Sequence, residues 1–79
     1  MTTRDLIASE LRSIRAKKDI SLETVATESG VNKDTICRYE NNTVSMQIDI
    51  LDKLLKYYKV DFDIFFTNIY ANKPRKIKT

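Results

Sequence analysis

The sequence contains no histidine and no tryptophan, and only one cysteine, one glycine and one proline. A single cysteine excludes a disulfide within the chain, and without histidine it cannot complete a zinc site, so we expect no bound metal. One glycine is too few for a glycine-rich phosphate loop. Catalysis would have to depend on Asp, Glu, Lys, Tyr or Cys37, and no arrangement of these side chains indicates a reaction. We therefore expect no enzyme and no cofactor.

Long apolar runs are absent too. None approaches the ~20 residues of a membrane span, and the polar N-terminal segment MTTRDLIASELRS lacks the composition of a signal or transit peptide. We expect a cytoplasmic protein without membrane contact. A chain of 79 residues makes one small domain, whose marginal core often depends on a partner chain. No feature indicates a small-molecule ligand.

The net charge of +3 is distributed unevenly along the chain. Residues 1–66 contain ten Lys or Arg against eleven Asp or Glu, whereas residues 67–79 contain four cations and no acid. We therefore predict a near-neutral domain over residues 1–68 and a basic C-terminal tail over residues 69–79. The tail can bind nucleic-acid phosphates, and a solvated chain end explains the same composition equally well.

What the chain does contain is helical periodicity punctuated by capping residues. The first helix is predicted over about residues 4–17, after a cap at Thr2 or Thr3. Ser21 caps a second helix, which Gly30 ends in a left-handed conformation. Asn32 caps a third helix over about residues 33–41. Two short capped helices around a turn that contains glycine are typical of a helix-turn-helix.

Two further helices complete the predicted chain. The segment MQIDILDKLLKYY has apolar residues at helical spacing, and either Ser45 or Gln47 can cap it. Asp61 opens a short fifth helix, FDIFF, whose aromatic residues are too many for one face. We expect the periodicity to be lost beyond Thr67, and Pro74 makes a helix after it unfavourable.

The third helix has two different faces. At 100° per residue, its outward face spans about 140° and is polar with mixed charge. The opposite face, with Thr35, Ile36 and Tyr39, is apolar except for Glu40. The outward residues are Lys33, Asp34, Cys37, Arg38 and Asn41.

Residues 11–66 resemble the phage-repressor helix-turn-helix family, the Cro/repressor or Xre-like group. The resemblance rests on LRSIRAKKDISLETVATESGVNKDTICRYENN followed by ILDKLLKYYKVDFDIFF. It implies an all-α fold, a compact five-helix bundle like the lambda repressor DNA-binding domain, with the third helix in the DNA major groove. Members usually bind a two-fold operator as dimers. The resemblance also implies an ion pair between Arg15 and Glu40.

The chain departs from the family pattern at several positions. Leu22 replaces a glutamine that commonly contacts a phosphate, which puts that contact in doubt. Asn42 stands where glycine is usual after the third helix, and asparagine tolerates a left-handed backbone. Lys59 replaces a common glycine after the fourth helix.

Together these observations predict which residues contact DNA. Arg38 and Lys33 can donate to guanine, and Asp34 can accept from cytosine or hold Arg38 in position. Asn32, at the helix start, can reach a phosphate or a base edge, and Cys37 can pack against a thymine methyl. Without DNA, the same face would simply be solvated, with Asp34 and Arg38 forming a weak pair. Phosphate contacts are predicted for Thr35, Asn41, Asn42 and Thr43, the last three through their amides.

Two hypotheses for function follow. The first is a sequence-specific transcriptional regulator, a repressor, that binds double-stranded DNA as a homodimer. The second is a protein-interaction module, such as an antitoxin or adaptor, with secondary DNA binding. The near-neutral domain and Leu22 favour the second hypothesis, whereas the helix-turn-helix pattern favours the first.

Overall fold

The computed structural model describes residues 2–72, which form five α-helices and no strand. The all-α class and the five-helix architecture expected from the sequence are confirmed. The cationic residues of the predicted tail, in 73–79, lie outside the described residues. Within residues 2–72 no helix combines the length and apolarity needed to cross a bilayer. The helices are α1 (Thr3–Lys18), α2 (Leu22–Ser29), α3 (Lys33–Glu40), α4 (Ile48–Tyr58) and α5 (Phe62–Asn72).

Side-chain caps determine where the first three helices begin. Thr2 accepts from the amide of Asp5, whose carboxylate accepts in return from the Thr2 amide. Ser21 Oγ accepts from the Thr24 amide, and Asn32 caps α3 in the same manner. These caps satisfy amides that have no partner inside the helix. The caps predicted for α2 and α3 are confirmed, and of the two candidates for α1 the structure uses Thr2.

A left-handed residue follows each of the first four helices, and the one after α1 is Asp19, with φ of 54°. Gly30, with φ of 80°, ends α2 as predicted. Lys59 and Asn42, at φ of 62° and 55°, adopt the same region although the resemblance leads to glycine at both positions. The backbone thus keeps the turn geometry of the family at a cost that a β-carbon imposes in this region.

The core lies where α1, α4 and α5 meet the α2–α3 pair. Helix α1 packs against α3 and α5, and α2 packs against α3 and α4. Phe65 and Val25 are fully buried at its centre. Since α3 covers this core with one face only, its other face is left to solvent. The buried apolar side chains are Leu6, Ile7, Ala8, Leu11, Ile14, Val25, Val31, Ile36, Tyr39, Leu51, Leu54, Leu55, Tyr58, Phe65 and Ile69.

Helix α5 is longer than the sequence analysis predicted. The short helix around FDIFF was expected to end near Thr67, but α5 has 11 residues and reaches Asn72. Ile69 is only 1% exposed, and it extends the stripe of Phe62, Phe65 and Phe66 by one turn. The spacing i, i+3, i+4, i+7 was therefore present in the sequence. The prediction that periodicity is lost beyond Thr67 is therefore wrong.

Helix α4 begins at Ile48, after Gln47. Of the two possible caps, Gln47 holds the cap position, but its side chain makes no capping hydrogen bond. Its backbone amide instead donates to the Tyr39 hydroxyl at 2.9 Å. The segment between α3 and α4 is therefore tied to the inner face of α3.

Candidate nucleic-acid interface

Helices α2 and α3 pack against each other around the turn at Gly30, and Val25, Val31 and Ile36 fill the contact. This packing fixes α3 by its apolar face. The polar face predicted from the sequence is turned outward: Lys33, Asp34, Arg38 and Asn41 are exposed and Cys37 is half-buried. A protruding helix with polar side chains is the form that enters the DNA major groove in helix-turn-helix proteins.

Arg38 and Asp34 form an ion pair along the exposed face, with Arg38 Nη2 3.0 Å from Asp34 Oδ2. The two residues are one helical turn apart, and both side chains are more than half exposed. A pair of this kind contributes little to stability. The pair does orient the Arg38 guanidinium along the helix. Holding Arg38 in position is one of the two roles predicted for Asp34, and the other is to accept from cytosine.

Lys33 is paired with a residue of the neighbouring helix. Its Nζ lies 2.6 Å from Oε2 of Glu23 in the first turn of α2. The hydrogen bond to Lys33 lowers the pKa of Glu23, and the hydrogen bond to Glu23 raises the pKa of Lys33. Both groups are thus charged at neutral pH. Every cation on the outward face of α3 therefore has a carboxylate beside it.

The asparagines of the face serve the helix itself. Asn32 Oδ1 accepts from the Asp34 amide at 2.8 Å, which leaves its side-chain NH2 free for another acceptor. Asn41 Nδ2 donates to the Cys37 carbonyl at 2.9 Å and lies 3.4 Å from Cys37 Sγ. Cys37 therefore sits beneath the Asn41 amide, near the middle of the face.

The residues after α3 were expected to contact phosphates through their amides. In the structure these amides form hydrogen bonds within the chain. The amides of Asn41, Asn42 and Thr43 donate to the carbonyls of Cys37, Tyr39 and Arg38. The Asn42 side chain donates to Asp5 Oδ1 and accepts from Arg4 Nε at 2.8 Å. The side-chain oxygen and NH2 of Asn42 are thus both bonded within the chain, and these bonds attach the turn after α3 to the start of α1. Thr43 stays exposed, and Thr35 is half-buried.

The Asp5 carboxylate makes two contacts at the start of α1. Its carboxylate closes the cap of α1 and also accepts from Asn42. Hydrogen bonds from the backbone and side chain of Thr2, and then from Asn42, lower the pKa of Asp5 below its ordinary value. The carboxylate therefore stays ionised at neutral pH and holds the turn against α1.

A second contact between α1 and α3 is buried. Arg15 donates from Nε and Nη2 to the two carboxylate oxygens of Glu40, at 2.8 Å and 3.0 Å. Glu40 is only 4% exposed, and this hydrogen bonding raises the pKa of Arg15. Arg12 donates to the Glu40 carbonyl as well. The pair implied by the resemblance is thus a two-pronged contact that fixes the end of α3 on α1.

A groove of about 330 Å³ runs beside the outward face, between α3 and the segment that leads into α4. Thr35 lines this groove together with Arg38, which belongs to the outward face of α3. The groove is lined by Thr35, Arg38, Tyr39, Val44, Ser45, Gln47 and Ile50.

A helix-turn-helix family model matches residues 11–65, which span the second half of α1, all of α2, α3 and α4, and the start of α5. The chain belongs to the helix-turn-helix family. This confirms the resemblance drawn from the sequence, and with it DNA binding and transcription regulation as the class of function. Within residues 2–72, no group of three or more cysteine or acidic side chains is arranged to hold a metal ion.

Two relatives of this helix-turn-helix protein support the assignment. The cryptic phage CTXphi transcriptional repressor RstR of Vibrio cholerae is 31% identical over 74 residues, which cover 94% of this chain and 67% of RstR. An HTH-type transcriptional regulatory protein of Pyrobaculum aerophilum is 32% identical over 59 residues, 75% of this chain but only 24% of the relative. No solved structure gives a significant match.

Several residues at this interface were not found by sequence reasoning. Arg12 contacts Glu40 at the end of α3, and Arg4 contacts the turn that follows. With Arg15 they lie within about 80° of the α1 surface at 100° per residue. That shared stripe was a signal that the sequence offered. Glu23 had none, since its ten-residue separation from Lys33 follows no helical period and depends on how α2 meets α3.

Proposed function

We propose that this helix-turn-helix protein is a repressor that binds a two-fold DNA operator as a homodimer, with α3 in the major groove. The observation that carries the proposal is the exposed polar face of α3, presented by a helix pair that buries its apolar residues on the other side. The name of RstR, a phage repressor similar to this chain over most of its length, supports the repressor sense.

Arg38 is the proposed base-contacting residue at the centre of the face. Its guanidinium can donate two hydrogen bonds to guanine O6 and N7. Asp34, 3.0 Å away, can accept from a cytosine N4 amine while it keeps Arg38 in position. Asn32 has a free side-chain NH2 for a base edge or a phosphate, and Cys37 offers a small apolar surface to a thymine methyl.

Phosphates are the proposed partners of the residues around the end of α3. Thr43 and Asn41 are exposed there, and Thr35 lies beside the groove that Arg38 borders. Asn42 supports this edge of the interface through its contacts with Arg4 and Asp5. These contacts would fix the register of α3 without carrying sequence information.

The homodimer is proposed because one recognition helix contacts few base pairs, whereas a two-fold pair reads two half-sites about one DNA turn apart. Helix α5 offers apolar surface for such a contact, since Ile64 is 52% exposed and Tyr70 51% exposed. In a chain this small, burial of that surface would also enlarge a marginal core.

Selection of bound sequences from a random duplex pool tests the proposal. We expect enrichment of a site with two related halves. A pool without enrichment would contradict sequence-specific binding, and a single unrepeated half-site would contradict the two-fold homodimer alone. The Arg38→Ala variant, selected in parallel, should enrich a site with one position relaxed.

A second candidate function is a protein-interaction module such as an antitoxin or adaptor. The observation that favours it is the internal pairing of both cations on the α3 face, which leaves the face nearly neutral. A gel-shift on genomic fragments beside a pull-down from the native host separates the candidates. A co-purifying protein without any shifted fragment would support the module.

A further inference from the structure

We propose that Glu23 is a positioning residue that keeps Lys33 away from the DNA, so that Lys33 acts as a bridge between α2 and α3 and contacts neither a base nor a phosphate. The inference rests on the proposed DNA-binding function and specifies how one of its cations is used. It assigns a role to Glu23, a residue outside the recognition helix.

The geometry of the pair differs from that of its neighbour on the same face. Lys33 Nζ and Glu23 Oε2 are 2.6 Å apart and join two helices, whereas Asp34 and Arg38 are joined within α3. The bridge draws the Lys33 ammonium toward the first turn of α2. Arg38 can keep its contact with Asp34 while a second edge of the guanidinium faces a base, because guanidinium has five donors in a planar fork.

The bridge also places a negative charge where a phosphate would have to approach Lys33. Glu23 is 69% exposed and lies beside the ammonium on the surface of the protein. A phosphate that contacts Lys33 must displace this carboxylate or lie close to it, and like charges repel. A glutamine is common one position earlier in the family, but here Leu22 offers no donor that could compensate. The side chains of Leu22 and Glu23 therefore supply no phosphate contact at the start of α2.

Removal of the carboxylate should release Lys33 for a phosphate. A cation that neutralises one phosphate increases the magnitude of the slope of log K against log salt by about 0.9. For Glu23→Gln we therefore expect tighter binding to every duplex alike, with a gain about threefold larger at 50 mM than at 200 mM salt. The gain should not depend on sequence, because a phosphate contact carries no base information.

The matched control is Glu28→Gln. It changes the net charge equally on the same helix, but Glu28 accepts from the Tyr57 hydroxyl and holds no lysine. We expect Glu28→Gln to leave the salt slope unchanged. An equal change of slope in both variants would mean that only net charge matters, and this would overturn the inference.

The decisive variant is Glu23→Gln combined with Lys33→Gln, which removes both charges and keeps the net charge. Binding by this double variant to the selected operator and to random duplex should match the wild type in affinity and salt slope. A loss of threefold or more, a shallower slope, or relaxed preference at one base pair would show that Lys33 contacts DNA and would overturn the inference. A wild-type protein that binds no duplex would instead overturn the proposed function itself. Thermal melts of each variant provide the folding control.

Discussion

Helix α3 carries ion pairs on both of its faces, and the two faces differ in what surrounds the charges. On the inner face, Glu40 is 4% exposed and is held by two nitrogens of Arg15. On the outer face, the side chains of Asp34 and Arg38 are 69% and 56% exposed. Both are pairs of an arginine and a carboxylate. The buried pair stabilises the fold because water is excluded from it, whereas the exposed pair contributes little and stays available to a ligand.

The inner pair predicts the largest effect on stability. Glu40→Gln leaves the charge of Arg15 without its carboxylate, and we expect the free energy of unfolding to fall by about 3 kcal/mol, the lower end for a broken buried pair, because Arg15 keeps 26% of its side chain exposed. Urea unfolding measures this. Glu28→Gln, which changes an exposed carboxylate, serves as the control. A loss below about 1 kcal/mol would mean that the inner pair behaves like a surface pair.

The stability of the core around Glu40 should also depend on alkaline pH, through Tyr58. Burial, and next the charge of Glu40, raises the pKa of Tyr58 from 10.0 to about 12. Below pH 10 the hydroxyl is protonated in both folded and unfolded chains, so its contribution is constant. Between pH 10 and 12 the unfolded chain ionises first, and the stability should fall by up to about 3 kcal/mol.

Unfolding of Tyr58→Phe measured over the same pH range isolates this contribution, since the variant should lose less stability between pH 10 and 12 than the wild type. Identical pH profiles for the wild type and Tyr58→Phe would contradict the prediction.

The outer face predicts an effect on binding without one on stability. Arg38→Ala should lower specific DNA affinity by about 1–3 kcal/mol and relax the preference at one base pair, because one bidentate contact is lost. Binding to a series of substituted operators measures both. An equal loss on all sequences would assign Arg38 to a phosphate and not to a base.

The smallest expected change is the effect of Asp34→Asn on stability. An exposed i,i+4 pair contributes only about 0.3–0.5 kcal/mol, so the free energy of unfolding should change by no more than that. Specificity should change more, since the carboxylate either accepts from cytosine or holds Arg38. Parallel unfolding and operator-binding measurements check this, and a destabilisation above about 1 kcal/mol would contradict the contrast between the two faces.

Local chemistry made most of the fold predictable. Ser21 and Asn32 determine where α2 and α3 begin, because each accepts a hydrogen bond from an amide of the first turn. Gly30 determines where α2 ends, because it adopts the left-handed conformation there. The outward face of α3 followed from helical geometry alone. The length of α5 was missed, although Ile69 continues the apolar stripe, because the stripe was not followed past Thr67.

The exposed face of α3 was predictable in its residues and in its Asp34–Arg38 pair, but not in the partner of Lys33. Lys33 and Arg38 were assigned to the outer face correctly, but the partner of Lys33 lies on another helix. The clamp of Asn42 on Arg4 and Asp5 joins residues 37 and 38 positions apart. No helical period relates residues so far apart. The sequence therefore predicted a phosphate contact for Asn42 and gave no sign of its hydrogen bonds to Arg4 and Asp5.

Local sequence patterns were enough to predict the helix-turn-helix and the polar face of α3, since caps, glycine and helical spacing act over one or two turns. Packing of the helices determined which charges are buried and which carboxylate accompanies Lys33. Those outcomes depend on how α1 and α2 pack against α3, and packing brings together side chains that are distant in the chain. A charge pattern in one dimension cannot specify whether a pair is shielded from water, and that shielding separates the structural pair at Glu40 from the outer pairs at Lys33 and Arg38.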